Sequence, residues 1–167
     1  MAQSVLIIGG TGMLAKASKY VATIAKTVTL ASRHPQTLAN EIGTTPLILD
    51  WNNQKQTLAN ISTLPTVELV ISWLHDDGLW LVKHLENKLK PDGRSIRIHG
   101  SASLDPEILA RQDPPPRQDI HRQVIVLGWV NSVNGRRWLS NEEISDAVID
   151  AVEIPTQKII IAGTVET

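Results

Sequence analysis

Val5-Leu6-Ile7-Ile8 is continuously apolar and largely β-branched, the pattern of a strand covered on both faces. After Gly12 the period changes. Leu14, Ala17, Val21, Ile24 and Ala25 recur at helical spacing as far as Lys26. A second strand is predicted over Thr27 to Ala31, then a short helix opened by Pro35. Leu47-Ile48-Leu49 reads as a third strand, Gln54 to Ile61 as a helix, and Leu69 to Trp73 as a fourth strand.

The spacing next predicts a helix over Asp77 to Lys90, ended by Pro91. Its apolar arc of Leu79, Trp80, Leu81, Val82, Leu85 and Leu89 is wider than one sheet face needs. The fifth strand, Ser95 to His99, sets Ile96 and Ile98 against Ser95, Arg97 and His99, so one face is polar, which is unusual for a central parallel strand. A short helix from Asp105-Pro106 must stop before Pro114-Pro115-Pro116. Gln123 to Leu127 gives strand six. Ser140-Asn141-Glu142-Glu143 is a capping box, opening a helix with the stripe Ile144, Ala147, Val148, Ala151 and Val152. Pro155 closes that helix, and Lys158 to Ala162 is a last strand. Strands alternating with amphipathic helices, with no linker between them, predict one α/β domain over residues 1–167. Its core is a doubly wound parallel sheet of about seven strands with helices on both faces.

Composition narrows the chemistry. The chain has no cysteine, which excludes disulfides, thiolate nucleophiles and cysteine-held metal centres. A formal net charge of −1 gives no electrostatic case for nucleic acid or an anionic membrane as partner. No apolar run approaches the ~20 residues of a membrane span, and Met1-Ala2-Gln3-Ser4 lacks the basic stretch of a signal peptide. A cytoplasmic protein is expected. Five scattered histidines lack metal-ligand spacing, so no metal site is expected.

The densest motif follows the first strand. In Gly9-Gly10-Thr11-Gly12-Met13-Leu14-Ala15, two glycines permit a tight turn and Gly12 allows close backbone approach. Ala15 lets the helix pack on the strand. Free N–H groups at the helix start would then face a pyrophosphate. The second strand ends in Ser32-Arg33, where a carboxylate would hold the ribose 2′-OH of NAD(H). Arg33 can instead bind a 2′-phosphate, with Ser32 as a further donor, so NADP(H) is expected over NAD(H). A solvated surface arginine is the alternative.

These residues resemble the short-chain dehydrogenase/reductase superfamily, in a small and atypical form. The resemblance rests on Ile7 to Ala15, on Arg33 after strand two and on Asp50 after strand three, and more loosely on Ser101 and Ser103 after strand five. It implies a Rossmann-type fold. It also implies that Asp50 contacts the adenine amine with Trp51 beside the ring, although Asp50 could equally cap the next helix. Ser101 or Ser103 would by the same analogy polarise a substrate carbonyl, with a helix cap as the other reading. The superfamily's Tyr-x-x-x-Lys pair, which donates the proton and grips the ribose, is missing. The one tyrosine, Tyr20, lies on the first helix with Ile24 four residues on.

What remains must move a proton by other means. His75, in Trp73-Leu74-His75-Asp76, follows strand four and is a candidate proton donor or ribose contact, oriented by Asp76 or Asp77; a loop histidine without a ligand is the alternative. His99, with Ser101 and Ser103, follows strand five. Trp129, Arg136 and Arg137 follow strand six, where two guanidiniums could hold a substrate carboxylate or phosphate. They could also be a surface basic pair, with Trp138 stapling the capped helix. The expectation is an NADP(H)-dependent oxidoreductase acting on a small carbonyl or imine compound. The alternative is a catalytically silent NADP(H)-binding sensor or scaffold. A homodimer or tetramer is expected from the apolar helix carrying Trp80 and Leu81, and from thin cover of the sheet after strand five.

Overall fold

In the computed structural model, which describes residues 2–100 and 105–165, the apolar run at the start forms the middle of the sheet. Strand β1 (Ser4–Ile8) pairs in parallel with β2 (Thr27–Ser32) on one side and β4 (Val67–Trp73) on the other. With β3 (Thr45–Ile48), β5 (Leu89–His99), β6 (His121–Leu127) and β9 (Ile159–Ala162), the order is β3-β2-β1-β4-β5-β6-β9. Every neighbouring pair in this sheet is parallel. The order reverses between β1 and β4, and a sheet of this kind opens its ligand crevice at the carboxyl ends of those strands.

Helices cover both faces. Val5, Ile7, Leu69, Ile71, Ile96 and Ile98 pack under α1 (Ala15–Ile24), α2 (Gln36–Ile42) and α6 (Asn141–Glu153). Leu6, Ile8 and Val70 face the other way, toward α3 (Gln54–Ser62) and α4 (Leu81–Glu86). A smaller cluster of Leu109, Val124 and Val126 lies beneath α5 (Pro106–Gln112). Alternation along each buried strand therefore feeds two separate cores. The capping box forms as read, with Ser140 Oγ accepting from the Glu143 N–H and the Glu143 carboxylate accepting from the Ser140 N–H.

The middle of the chain departs from expectation. The helix predicted over Asp77 to Lys90 shrinks to one 3₁₀ turn at Asp76–Gly78 and the six-residue α4. Pro91 does not terminate a helix; it lies inside β5, which starts at Leu89 and reaches β4 through a shifted register. The wide apolar arc follows from this shortening, because Leu81, Val82, Leu85 and Leu89 are all buried within the chain itself. Leu79 and Trp80 remain half-buried, and Arg97 on the polar face of β5 is 1% exposed.

After β6 the chain forms an antiparallel hairpin, β7 (Trp129–Ser132) and β8 (Gly135–Trp138), where a plain loop was expected. Trp138 projects from it 72% exposed and does not staple α6. Leu139, just before the Ser140 cap, and Ile144 join the core instead, which makes them the hydrophobic staple. Among the described residues no helix is long and apolar enough to cross a membrane.

Candidate active site

The glycine loop between β1 and α1 is held from three sides. Gly9 N–H donates to the Ala31 carbonyl (2.9 Å), Ser18 Oγ to the Gly10 carbonyl (2.9 Å), and Ser145 Oγ of α6 to the Met13 carbonyl (2.8 Å). Lys16 in the first turn of α1 ties down to Glu142 and Asp146 of α6 at 3.1 and 2.7 Å. Leu14 points into the core, so its backbone alone can face a ligand, and Thr11 is half-buried. Gly9 has φ +76°, which only glycine adopts without strain. Gly12 differs. Its φ is not positive and a Cβ there would meet no protein atom within 4 Å. Nothing inside the chain requires glycine at that position, and the space beside it lies open.

Two hollows flank the crevice and share a wall. On the β2 side, Arg33, Trp51, Asn52, His75 and Asp77 line about 260 Å³. On the β5 side, Trp73, His75, Asp77, His99, Gly100 and Gln112 border about 600 Å³. The dividing wall is aromatic, since the His75 ring sits 5.8 Å from Trp51 and 5.7 Å from Trp73, centroid to centroid. Among the described residues His75 has no hydrogen bond to Asp76 or Asp77, so the orientation expected from those carboxylates is not seen. Trp73 runs across the mouth. A Cβ on Gly100 would lie 2.6 Å from its Cη2, and one on Gly9 would lie 3.4 Å from its Cδ1. Its indole therefore floors the crevice from the glycine loop to the end of β5.

At the β2 end the Arg33 side chain is exposed over its hollow, and Ser32 Oγ is buried without a hydrogen-bond partner. Asp50 does not cap α3. Asn53 is the cap, accepting from the Gln56 N–H, while the Asp50 carboxylate accepts from the Asn52 N–H at 3.0 Å. Trp51 stands beside it, half-buried in the wall of the same hollow.

The β5 end carries the chain's most deeply buried ion pair among the described residues. Arg97 Nε and Nη2 donate to the two oxygens of Asp113 at 2.9 and 3.0 Å, and Nη1 donates to the Ser72 carbonyl and hydroxyl at 3.0 Å each. His99 Nε2 lies 2.9 Å from Asp113 Oδ2. Burial pushes the Asp113 carboxyl up, but the hydrogen bonds from His99 and Arg97 and the Arg97 charge outweigh it, bringing it down to about 2. Asp113 is the last residue before the proline run, which imposes the extended backbone it shows at ψ 150°.

No family model matches the chain, and no curated protein matches it. Solved structures do. BdcA in complex with NADPH aligns over 99% of this chain and 96% of its own, at 16% identity and a TM-score of 0.61. A bulky-bulky ketone specific alcohol dehydrogenase from Comamonas testosteroni aligns over 96% of this chain and 86% of its own, at 14% identity and a TM-score of 0.64. A short chain dehydrogenase/reductase family protein aligns over 96% of both chains, at 13% identity and a TM-score of 0.61. The fold is that of the short-chain dehydrogenase/reductases.

Within that short-chain dehydrogenase/reductase frame, the sequence-predicted residues fall into three places. Gly9, Gly10, Thr11, Gly12, Met13 and Leu14 form the loop, Arg33, Trp51 and His75 line the β2-side hollow, and Ser32 and Asp50 precede Arg33 and Trp51 in the chain without lining it. Trp129, Arg136 and Arg137 stand apart. With Trp138 they line a separate hollow of about 200 Å³ that shares no residue with the other two. Arg136 stacks on the Trp129 ring at 4.0 Å, and Arg137 Nη1 is 2.7 Å from Glu143. Ser101 and Ser103 lie outside the described residues. Tyr20 is engaged elsewhere, its hydroxyl bonded to Glu153 of α6. Sequence reading missed Trp73 and Asp113. The polar face of β5 was the available signal, since a buried Arg97 demands a carboxylate from somewhere.

Proposed function

We propose that the chain binds NADP(H) across the β1/β4 crevice and acts as an oxidoreductase on a small carbonyl or imine compound. The observation that carries this reading is the end of β2. There Arg33 overhangs a hollow walled by Trp51, and the buried hydroxyl of Ser32 lacks a partner. An unmet buried donor is costly, and a 2′-phosphate would satisfy it while pairing with the guanidinium. Gly12 supports the same reading, because its open flank fits a diphosphate approaching the backbone at the start of α1. The NADPH bound to BdcA, which shares the fold, agrees in kind. When bound, the nicotinamide supplies a hydride; the chain's task is to orient it, exclude water and handle the proton.

Calorimetry with both dinucleotides tests the cofactor. Arg33→Ala is expected to weaken NADPH binding at least ~10-fold, about 1.4 kcal/mol, and to leave NADH nearly unchanged. Identical NADPH curves for variant and parent would remove Arg33 from the site. A silent NADP(H) sensor is the second reading, favoured by the engagement of Tyr20 away from the mouth. Binding without turnover on any carbonyl would select it.

A further inference from the structure

Resting on the cofactor reading above, we propose that His99 is the proton-transfer residue of the larger cavity, with Asp113 and Arg97 positioning it. The imidazole borders the 600 Å³ space with Trp73, His75 and Gly100, yet is only 7% exposed. Its Nε2 is tied to Asp113, and Asp113 is locked by both arms of the Arg97 fork. Above strongly acid pH that carboxylate is ionised and can only accept. Nε2 therefore keeps its hydrogen in both charge states of the ring, and every proton gained or lost is exchanged at Nδ1. One nitrogen is anchored and the other works.

Packing alone does not call for this trio. Replacing a buried ion pair by apolar side chains of similar volume is often neutral or stabilising, and Ile96 and Ile98 already show what β5 does where only packing matters. The trio also sits at the carboxyl end of a strand beside the topological switch, where ligands of such sheets are handled. His75 is less suited, since its ring wedges between two tryptophans and gains no carboxylate.

In the reducing direction the Nδ1–H bond of the imidazolium breaks and its proton passes to the substrate's carbonyl oxygen. The new O–H bond takes the electron pair released from the C=O π bond. The co-reactant, reduced nicotinamide dinucleotide, supplies the hydride at carbon. The ring is left neutral with Nε2–H still on Asp113, and water restores the Nδ1 proton. The charged and titratable groups facing the ring are Asp113 and Arg97 on its inner side, and His75, Asp76 and Asp77 across the cavity.

Nitrogen NMR of the His99 ring in the full chain, from about pH 5 to 9, reads the proposal without any cofactor. The Nδ1 resonance is expected to move through a titration while Nε2 keeps its protonated character. Asp113→Asn is expected to lower kcat at least ~10-fold while leaving NADPH affinity unchanged, a split that a purely structural partner would not produce. In parallel, His99→Gln should bind NADPH as the parent does while losing at least ~100-fold in NADPH-dependent reduction of butane-2,3-dione. An Nδ1 that stays silent, a titration seated on Nε2, or His99→Gln turnover within about threefold of the parent overturns the proposal. Absence of NADPH heat with the parent would sink the cofactor reading alone, and the ring titration would still decide His99. Should Asp113→Asn fail to fold, the parent spectrum carries the decision.

Discussion

At the end of β1 the chain strips side chains away; at the end of β5, two strands across, it buries charged ones. The first region relies on backbone and empty space: Gly9 turns, Gly12 leaves its flank open, and Ser18 and Ser145 hold carbonyls from behind. The second relies on Arg97, Asp113, His99 and Ser72, all within a layer less than a tenth exposed. Under the proposed function the contrast has a reason: a loop admitting a phosphate is served by absence of bulk, and a cavity moving a proton by polar atoms kept rigid and dry. The difference predicts unequal responses to mutation.

The largest effect belongs to the charged side. Asp113→Asn should cost about 3–5 kcal/mol in urea unfolding, because Arg97 would be left buried and unpaired. The double variant Arg97→Met with Asp113→Leu should recover most of that loss. A double variant no more stable than Asp113→Asn would mean the pair does more than balance charge. The acid limb comes next. Asp113 has its carboxyl lowered to about 2 from an ordinary 3.8, so its contribution is complete above about pH 4 and lost as pH falls toward 2. The loss amounts to about 2 kcal/mol, read as a falling unfolding midpoint in the parent and a flatter profile in Asp113→Asn.

The glycine loop should then split by position. Gly10→Ala places a Cβ 2.5 Å from Leu30 Cδ1 and 2.7 Å from Ser18 Oγ, and should cost about 1–3 kcal/mol in stability. Gly12→Ala meets nothing and should leave the thermal midpoint unchanged while weakening NADPH binding about tenfold. Equal NADPH affinity for Gly12→Ala and the parent would place the diphosphate elsewhere. The smallest expected change is Ser140→Ala, about 1 kcal/mol of stability from the lost cap on α6.

The same contrast decides what could be read from the sequence. The β1 run, the loop, the α6 cap and the alternation of strands with helices follow from local periodicity and turn chemistry, and each stands within a few residues of its signal. Asp113 was opaque because its partners lie 14 and 16 residues away, on the other side of α5, and no spacing rule joins them. The stretch from Asp77 to Lys90 misled because a helical period in a short apolar run also fits a turn, a six-residue helix and a strand start. The β7–β8 hairpin lacked the alternating apolar pattern that marks buried strands, since β8 is exposed throughout. Arg33 was legible as a residue type after strand two. The hollow it overhangs, and the unpartnered Ser32 hydroxyl beside it, required coordinates.

Ser145 and the acidic residues Glu142 and Asp146 steady a loop made more than a hundred residues earlier. During synthesis the amino-terminal turn thus emerges well before its brace, and the loop gains these contacts only after residues through Asp146 have left the ribosome. Chains cut short before α6 would carry the loop without that support.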